Sequence, residues 1–456
     1  MNRWIWPAAV LGVVAAVTVS ATVTGAQPIP ETPFAATETR VSVVCPGFES
    51  ATASVGIAAA AVGPGLRTAS VADAAAGSDA GTFTVVRSPG APLRVSALLP
   101  DPFGGISSVS AEAGPDRGLS ASVCASPSTD HWFTGVDIRT VAQSEVVVAN
   151  LDQTTASVDL TVYGEEGTLA APRGIEVEGN SVQTISFGTI ERSQGPVSVE
   201  VSSGDGRVAA FVRQRTWAAD VPLGADWLPE STAPSTDMVI PGMPSGSGER
   251  TLVVTNPGEL TATVSIGTLT TSGSGQLAGA EQWEVPPQST RTLDLQLGLD
   301  GQPAALRLTS TQPVSAGVWL DAGGNDARHD PAFTAATVPL PSDSIWPLAL
   351  GKQASSVLQL ANPDDTDATV TVSAGTGTAP GEPSQVTVPA GSIVEVELAK
   401  AATNLVRVQT SASNLRGALI ATAQLGKVRG LSVVDLSADD SHRGEAPVVF
   451  DPHAGS

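Results

Sequence analysis

Apolar and polar positions alternate along most of this chain with a period of two. Val158, Leu160 and Val162 alternate with Asp159 and Thr161, and Val370 and Val372 alternate with Thr369 and Thr371. This period puts one face of a strand in a core and leaves the other wet. Val and Thr suit such positions because β-branching fits the pleated surface. Beyond the first residues no stretch carries a 3.6-residue helical period, so the pattern predicts an all-β protein.

The pattern repeats. Val146-Val147-Val148-Ala149-Asn150, Leu252-Val253-Val254-Thr255-Asn256 and Leu358-Gln359-Leu360-Ala361-Asn362 lie 106 residues apart. Each leads into a second alternating run, beginning at Ala156, Ala262 and Ala368. Asn256-Pro257 and Asn362-Pro363 repeat one turn dipeptide. A weaker copy starts at Val41-Ser42-Val43-Val44-Cys45, with Cys45 in the Asn position. Six or seven short strands in about 100 residues predict an antiparallel β-sandwich of immunoglobulin-like or fibronectin-like type. A propeller blade usually takes about 40–50 residues, so a propeller would need each unit to be a double blade. The unit length favours tandem sandwiches, and they divide the chain at 41–130, 131–235, 236–344 and 345–437. The Pro/Ser/Thr stretches 229–244 and 338–347 read as links, and 438–456 as a flexible tail.

Residues 1–26 differ from the rest. Arg3 precedes an uncharged apolar and small-residue run from Trp4, and small-residue cleavage signatures follow at Val19-Ser20-Ala21 and Thr24-Gly25-Ala26. The segment predicts a secretory signal peptide. The rival reading is an anchor helix, because about 20 residues suffice to span a bilayer. Residues 27–40, with Pro28, Pro30 and Pro33, read as a linker. Either reading puts the remainder outside the cytoplasm, with an N-terminus that contacts or spans the membrane only if it is retained.

Charge and chemistry narrow the function. A net charge of −22, with three lysines, argues against nucleic-acid partners, because phosphate binding needs clustered cations. Cys45 and Cys124 are the only thiols, and export favours one bridge between them. It would close a loop of about 80 residues and stabilise by about 3–5 kcal/mol. Its difficulty is phase: Cys124 falls out of step with Leu119, Ala121 and Val123. The three Asn residues read as turn formers that bond their own backbone. Asp364-Asp365-Thr366-Asp367 lacks the glycine and distal glutamate of a calcium loop and reads as solvated carboxylates, and Arg328-His329-Asp330 reads as a polar loop. Arg213, Arg215, Trp217, Asp220, Asp226 and Trp227 form the densest cluster of aromatic and charged residues, with Arg213, Arg215, Trp217 and Trp227 at its head. They are candidate ligand-binding residues, because glycans are held by flat aromatic faces with carboxylates and guanidinium groups. The competing reading has tryptophans filling joints between sandwiches. No nucleophile elbow, phosphate loop or metalloprotease motif occurs, so no catalytic residue, metal or cofactor is assigned.

The exported N-terminus, the Cys45-Pro46-Gly47 start, the repeated strand ends at Asn256-Pro257 and Asn362-Pro363 and the Ala/Val/Thr-rich, lysine-poor composition resemble a family of unknown function. Its members are secreted or membrane-anchored actinobacterial proteins. The resemblance carries no catalytic residue and implies a cell-envelope role beside glycan-assembling enzymes. The expected function is therefore a non-enzymatic exported scaffold or interaction module whose partners are cell-wall glycan or envelope proteins. The alternative is a carbohydrate-binding surface module.

Overall fold

Strands that alternate in sequence alternate in burial. In the strand Ala156–Gly164, positions Ala156, Val158, Leu160 and Val162 are buried while Ser157, Asp159 and Thr161 are partly exposed. The strand Ala262–Thr270 repeats this one unit later. The computed structural model describes residues 40–436 apart from 51, 74–76, 191, 278–279, 281, 324–329, 349–353, 376–377 and 399–403. The proposed signal or anchor, most of the linker and the tail lie outside the described residues. Within them the chain is all-β and antiparallel, interrupted by the single helical turns Phe187–Thr189 and Gln296–Leu299. No helix among them is long and apolar enough to cross a membrane.

Four modules share one topology. In the second, one sheet runs Ser181–Ser186, Ala142–Asn150, Val208–Ala218, Val221–Leu228, and the other runs Gly167–Leu169, Ala156–Gly164, Val197–Asp205, Asp130–Val136. The first and fourth modules repeat both orders. In the third, the single strand Ala304–Asp321 serves both sheets, pairing with Ala262–Thr270 through its first half and with Arg250–Asn256 through its second. Each module holds a core between its two sheets, such as Val146, Leu160, Val199 and Val212 in the second.

The modules also close on one another. Val44 and Phe48 of the first pack on Phe211 and Trp227 of the second. Thr290 of the third donates to the Tyr163 carbonyl of the second at 2.8 Å. Ala418, Ile420, Leu431 and Val433 of the fourth enter the core of the third. Ile106, Leu119 and Ala121 of the first enter the core of the fourth, and Ala60 meets Ile345 and Leu405. The result is a ring in which every sheet packs face to face with the next. The two geometries weighed from the repeat length meet here: each unit is a two-sheet sandwich, and the four close as double blades would.

Closure explains a break in the pattern. The strand Val208–Ala218 begins with seven consecutive buried residues, because its sheet is covered on both faces. It also corrects one alignment. The strand Arg40–Cys45 lies in the sheet that corresponds to Asp130–Val136, so Cys45 does not occupy the Asn position. A Val-x-Val pattern fits any half-buried strand and cannot say which one it is.

Candidate functional site

The last strand of each module, Gly118–Val123, Val221–Leu228, Pro331–Ala335 and Val428–Asp435, lies against the equivalent strands of its two neighbours at the centre of the ring. These axial strands carry buried polar groups. Asp330 is fully buried, and its Oδ2 accepts from the amides of Leu119 in the first module and Leu431 in the fourth, each at 2.9 Å. Glycine makes room for it: a Cβ at Gly118 or Gly224 would stand 1.7 or 2.7 Å from Asp330 Oδ1. Asp226 is buried beside Ser120 and Ala121 of the first module, and its Oδ1 accepts from the amide of its own neighbour Trp227 at 2.8 Å. Asp435 accepts from the Ala335 amide at 2.8 Å.

Burial raises the pKa of all three acids, since a desolvated carboxylate is costly. Asp435 is pushed up to about 7. Its hydrogen bonds agree. Thr334 Oγ1 lies 2.6 Å from the Pro241 carbonyl and 2.8 Å from Asp435 Oδ1. The carbonyl can only accept, so the hydroxyl proton goes there, and the contact with Asp435 is satisfied when the carboxyl supplies the second proton.

Where these strands end, a cavity of about 360 Å³ opens at the ring centre. The links between modules line it, and all four modules contribute, with Cys124, Ser231, Thr337 and Asp435 as examples. Phe133, Phe211 and Trp346 supply aromatic wall. Beside it, the buried His131 ring lies 2.9 Å from Glu230 Oε1 through Nδ1 and 2.6 Å from the Val208 carbonyl through Nε2. Both partners are acceptors, so both ring nitrogens donate and the imidazolium fits the site. Desolvation lowers the His131 pKa, but the charge and hydrogen bond of Glu230 outweigh it and the net shift is upward.

The four candidate ligand residues are elsewhere. Arg213 and Arg215 both bond Asp116 Oδ1, at 2.5 and 2.7 Å, and Arg213 lies over the Phe48 ring with its Cζ 3.4 Å from the centroid. Trp227 is buried beside them. These three occupy the joint between the first and second modules. Burial lowers the Arg213 pKa to about 10, helped by the charge of Arg215 and opposed by Asp116. Trp217 stands apart at the hairpin end, half-buried, paired in register with Pro222. Trp319, with its Nε1 donating to the Gly135 carbonyl, fills the joint between the second and third modules in the same way.

Cys45 and Cys124 are bonded. The phase difficulty disappears because the strand stops at Val123 and Cys124 begins the link. A disulfide is the chemistry of an oxidising, extracytoplasmic compartment. The three asparagines are nearly identical clamps. Asn256 Nδ2 donates to the Leu260 and Val285 carbonyls at 2.7 and 3.0 Å, and its Oδ1 accepts from Gly258 N at 3.0 Å. Asn150 and Asn362 make the same three bonds. In the Asp364–Asp367 turn, Asp364 accepts from Asn414 and Asp367 from the Ala390 amide. No cluster of three metal-ligating side chains occurs among the described residues. Of the axial acids, Asp435 is what sequence reasoning missed; Asp226 stood in the polar-aromatic cluster but as a candidate for glycan contact, and Asp330 is a correction: it is central where a polar loop was expected. Asp226 and Asp435 lie in strands of small and apolar residues and Asp330 ends a polar run, none within a motif, and only the closed ring brings them together.

By architecture, then, this is a closed ring of β-sandwich modules joined through buried carboxylates. The chain belongs to DUF5719, a family of unknown function, which matches residues 103–399. No curated protein matches it.

Proposed function

We propose that this is an exported, non-enzymatic protein of the cell envelope whose closed ring serves as a rigid interaction platform. The observation that carries the reading is where the buried acids point. Asp330 and Asp435 each bond the backbone of a neighbouring module, so their chemistry goes into holding the ring together. The disulfide supports export, and the N-terminal segment is read as the signal or anchor that achieves it. The net charge of −22 keeps such a platform soluble and disfavours polyanionic partners.

The test joins export to contact. A reporter enzyme that is active only outside the cytoplasm is fused after Ser456, and a photo-crosslinking residue is placed at Val338, which is 38% exposed at the cavity rim. The expected result is an active reporter and a discrete adduct with an envelope protein or wall polymer. An inactive reporter with adducts only to cytoplasmic proteins would contradict the reading.

A further inference from the structure

We propose that the cavity at the ring centre is a binding site for an organic cation with an apolar body, a primary ammonium group carried on an alkyl or aryl chain. The inference does not depend on the platform reading, because it rests on the cavity wall alone. Much of the wall that a ligand can reach is apolar. Val41, Val43, Leu99, Phe103 and Val123 line it and are partly exposed, and Val338 at the rim is 38% exposed. A concave, mostly apolar wall with a few polar groups is the ordinary make-up of a small-ligand site, and a volume of about 360 Å³ is within the range of such sites.

The charged groups set the sign of the ligand. Those on the lining are Asp130, Glu230 and Asp435, and no lysine or arginine stands among the described lining residues. Asp435 offers a ligand nothing, since its two oxygens are engaged by Thr334 and by the Ala335 amide. Asp130 accepts from Trp132 Nε1 at 2.9 Å. Glu230 is different. Its Oε1 holds the His131 ring at 2.9 Å, but the side chain is 37% exposed, and its Oε2 is left to accept from a ligand. The His131 imidazolium is buried and offsets one carboxylate, not two. Arg416 donates to the Thr337 carbonyl from outside the lining, and Asp237 and Asp364 act on its charge. An anion therefore meets carboxylates and no counter-charge. A hard metal ion wants several oxygens and finds one free carboxylate. An ammonium gives Glu230 a charge-assisted hydrogen bond while its apolar body covers the valine and phenylalanine wall. Such a group comes either as a free amine or as the lysine side chain of a partner.

The full chain is titrated with n-hexylamine, phenethylamine and N-acetyl-phenylalanyl-lysine amide. Hexanol and hexanoate are run beside them, and binding is read by saturation-transfer NMR. At least one ammonium probe is expected to bind about tenfold more tightly than hexanol, with hexanoate weakest. Glu230→Gln, which keeps the shape and an acceptor for His131, should weaken that probe at least about fivefold. Val338→Lys puts a cation at the rim and should weaken it as much, while Val338→Met leaves it unchanged. If Glu230→Gln lowers the melting temperature, the two variants at the exposed Val338 carry the comparison. Tighter binding of the peptide than of the free amines assigns the cation to a partner's lysine, and the reverse assigns it to a small molecule; both support the site. The proposal falls if no ammonium probe binds, if hexanol or hexanoate binds as tightly, if Val338→Lys binds like Val338→Met, or if a stably folded Glu230→Gln binds like the wild type.

Discussion

Asp435 illustrates how one residue makes the ring sensitive to pH. Its ordinary pKa of 3.8 is pushed up to about 7 by burial, so between those values the folded chain holds a proton that the unfolded chain has released. A group raised in this way stabilises the fold fully below about pH 4, and that contribution is lost as pH rises through about 7. Its size is on the order of 4 kcal/mol. Asp226 and Asp330 are raised as well and act in the same direction. Asp435→Asn copies the protonated acid: its amide donates to Thr334, and its carbonyl accepts from Ala335. Urea unfolding across pH 4–9 should show the variant gaining on the wild type between about pH 4 and 7, with the difference constant above. A difference that does not change with pH would mean that Asp435 is ionised in the folded chain.

At the scale of the element, the asparagine clamp decides where a strand stops and how the next begins. Asn256 ties its own turn to the start of the following strand and to the Val285 carbonyl, 29 residues away. Asn256→Ala removes three bonds and strands buried carbonyls, which should cost about 2–3 kcal/mol in urea unfolding. A cost below about 0.5 kcal/mol would show that the turn holds without it. These clamps were legible in the sequence, because a 106-residue spacing repeats them in register with Val and Leu. So were the half-buried strands, whose period of two reports one wet face. Of the axial strands only Gly118–Val123 was, through the alternation of Leu119, Ala121 and Val123. Val221–Leu228 contains Gly224, Ala225 and Asp226, and most of it is covered on both faces by other modules. A strand that has no wet face has no alternation to read. His131 and Glu230 were equally silent, since 99 residues separate them and only ring closure brings them together.

At the scale of the molecule, the sequence reads as a string of similar modules and the structure joins the string's ends. Leu119 and Ala121 of the first module share a core with Leu419 and Val434 of the fourth, and Asp330 of the third bonds both. The platform reading and the central cavity rest on that closure, because the cavity wall draws on all four modules. An open string would have no such cavity and would leave the axial acids exposed to water. Small-angle X-ray scattering of the folded chain separates the two arrangements most directly. A closed ring predicts a radius of gyration of about 22 Å, the value for a compact chain of this length. A radius of roughly 40 Å, as for four modules of about 35 Å laid end to end, would contradict closure.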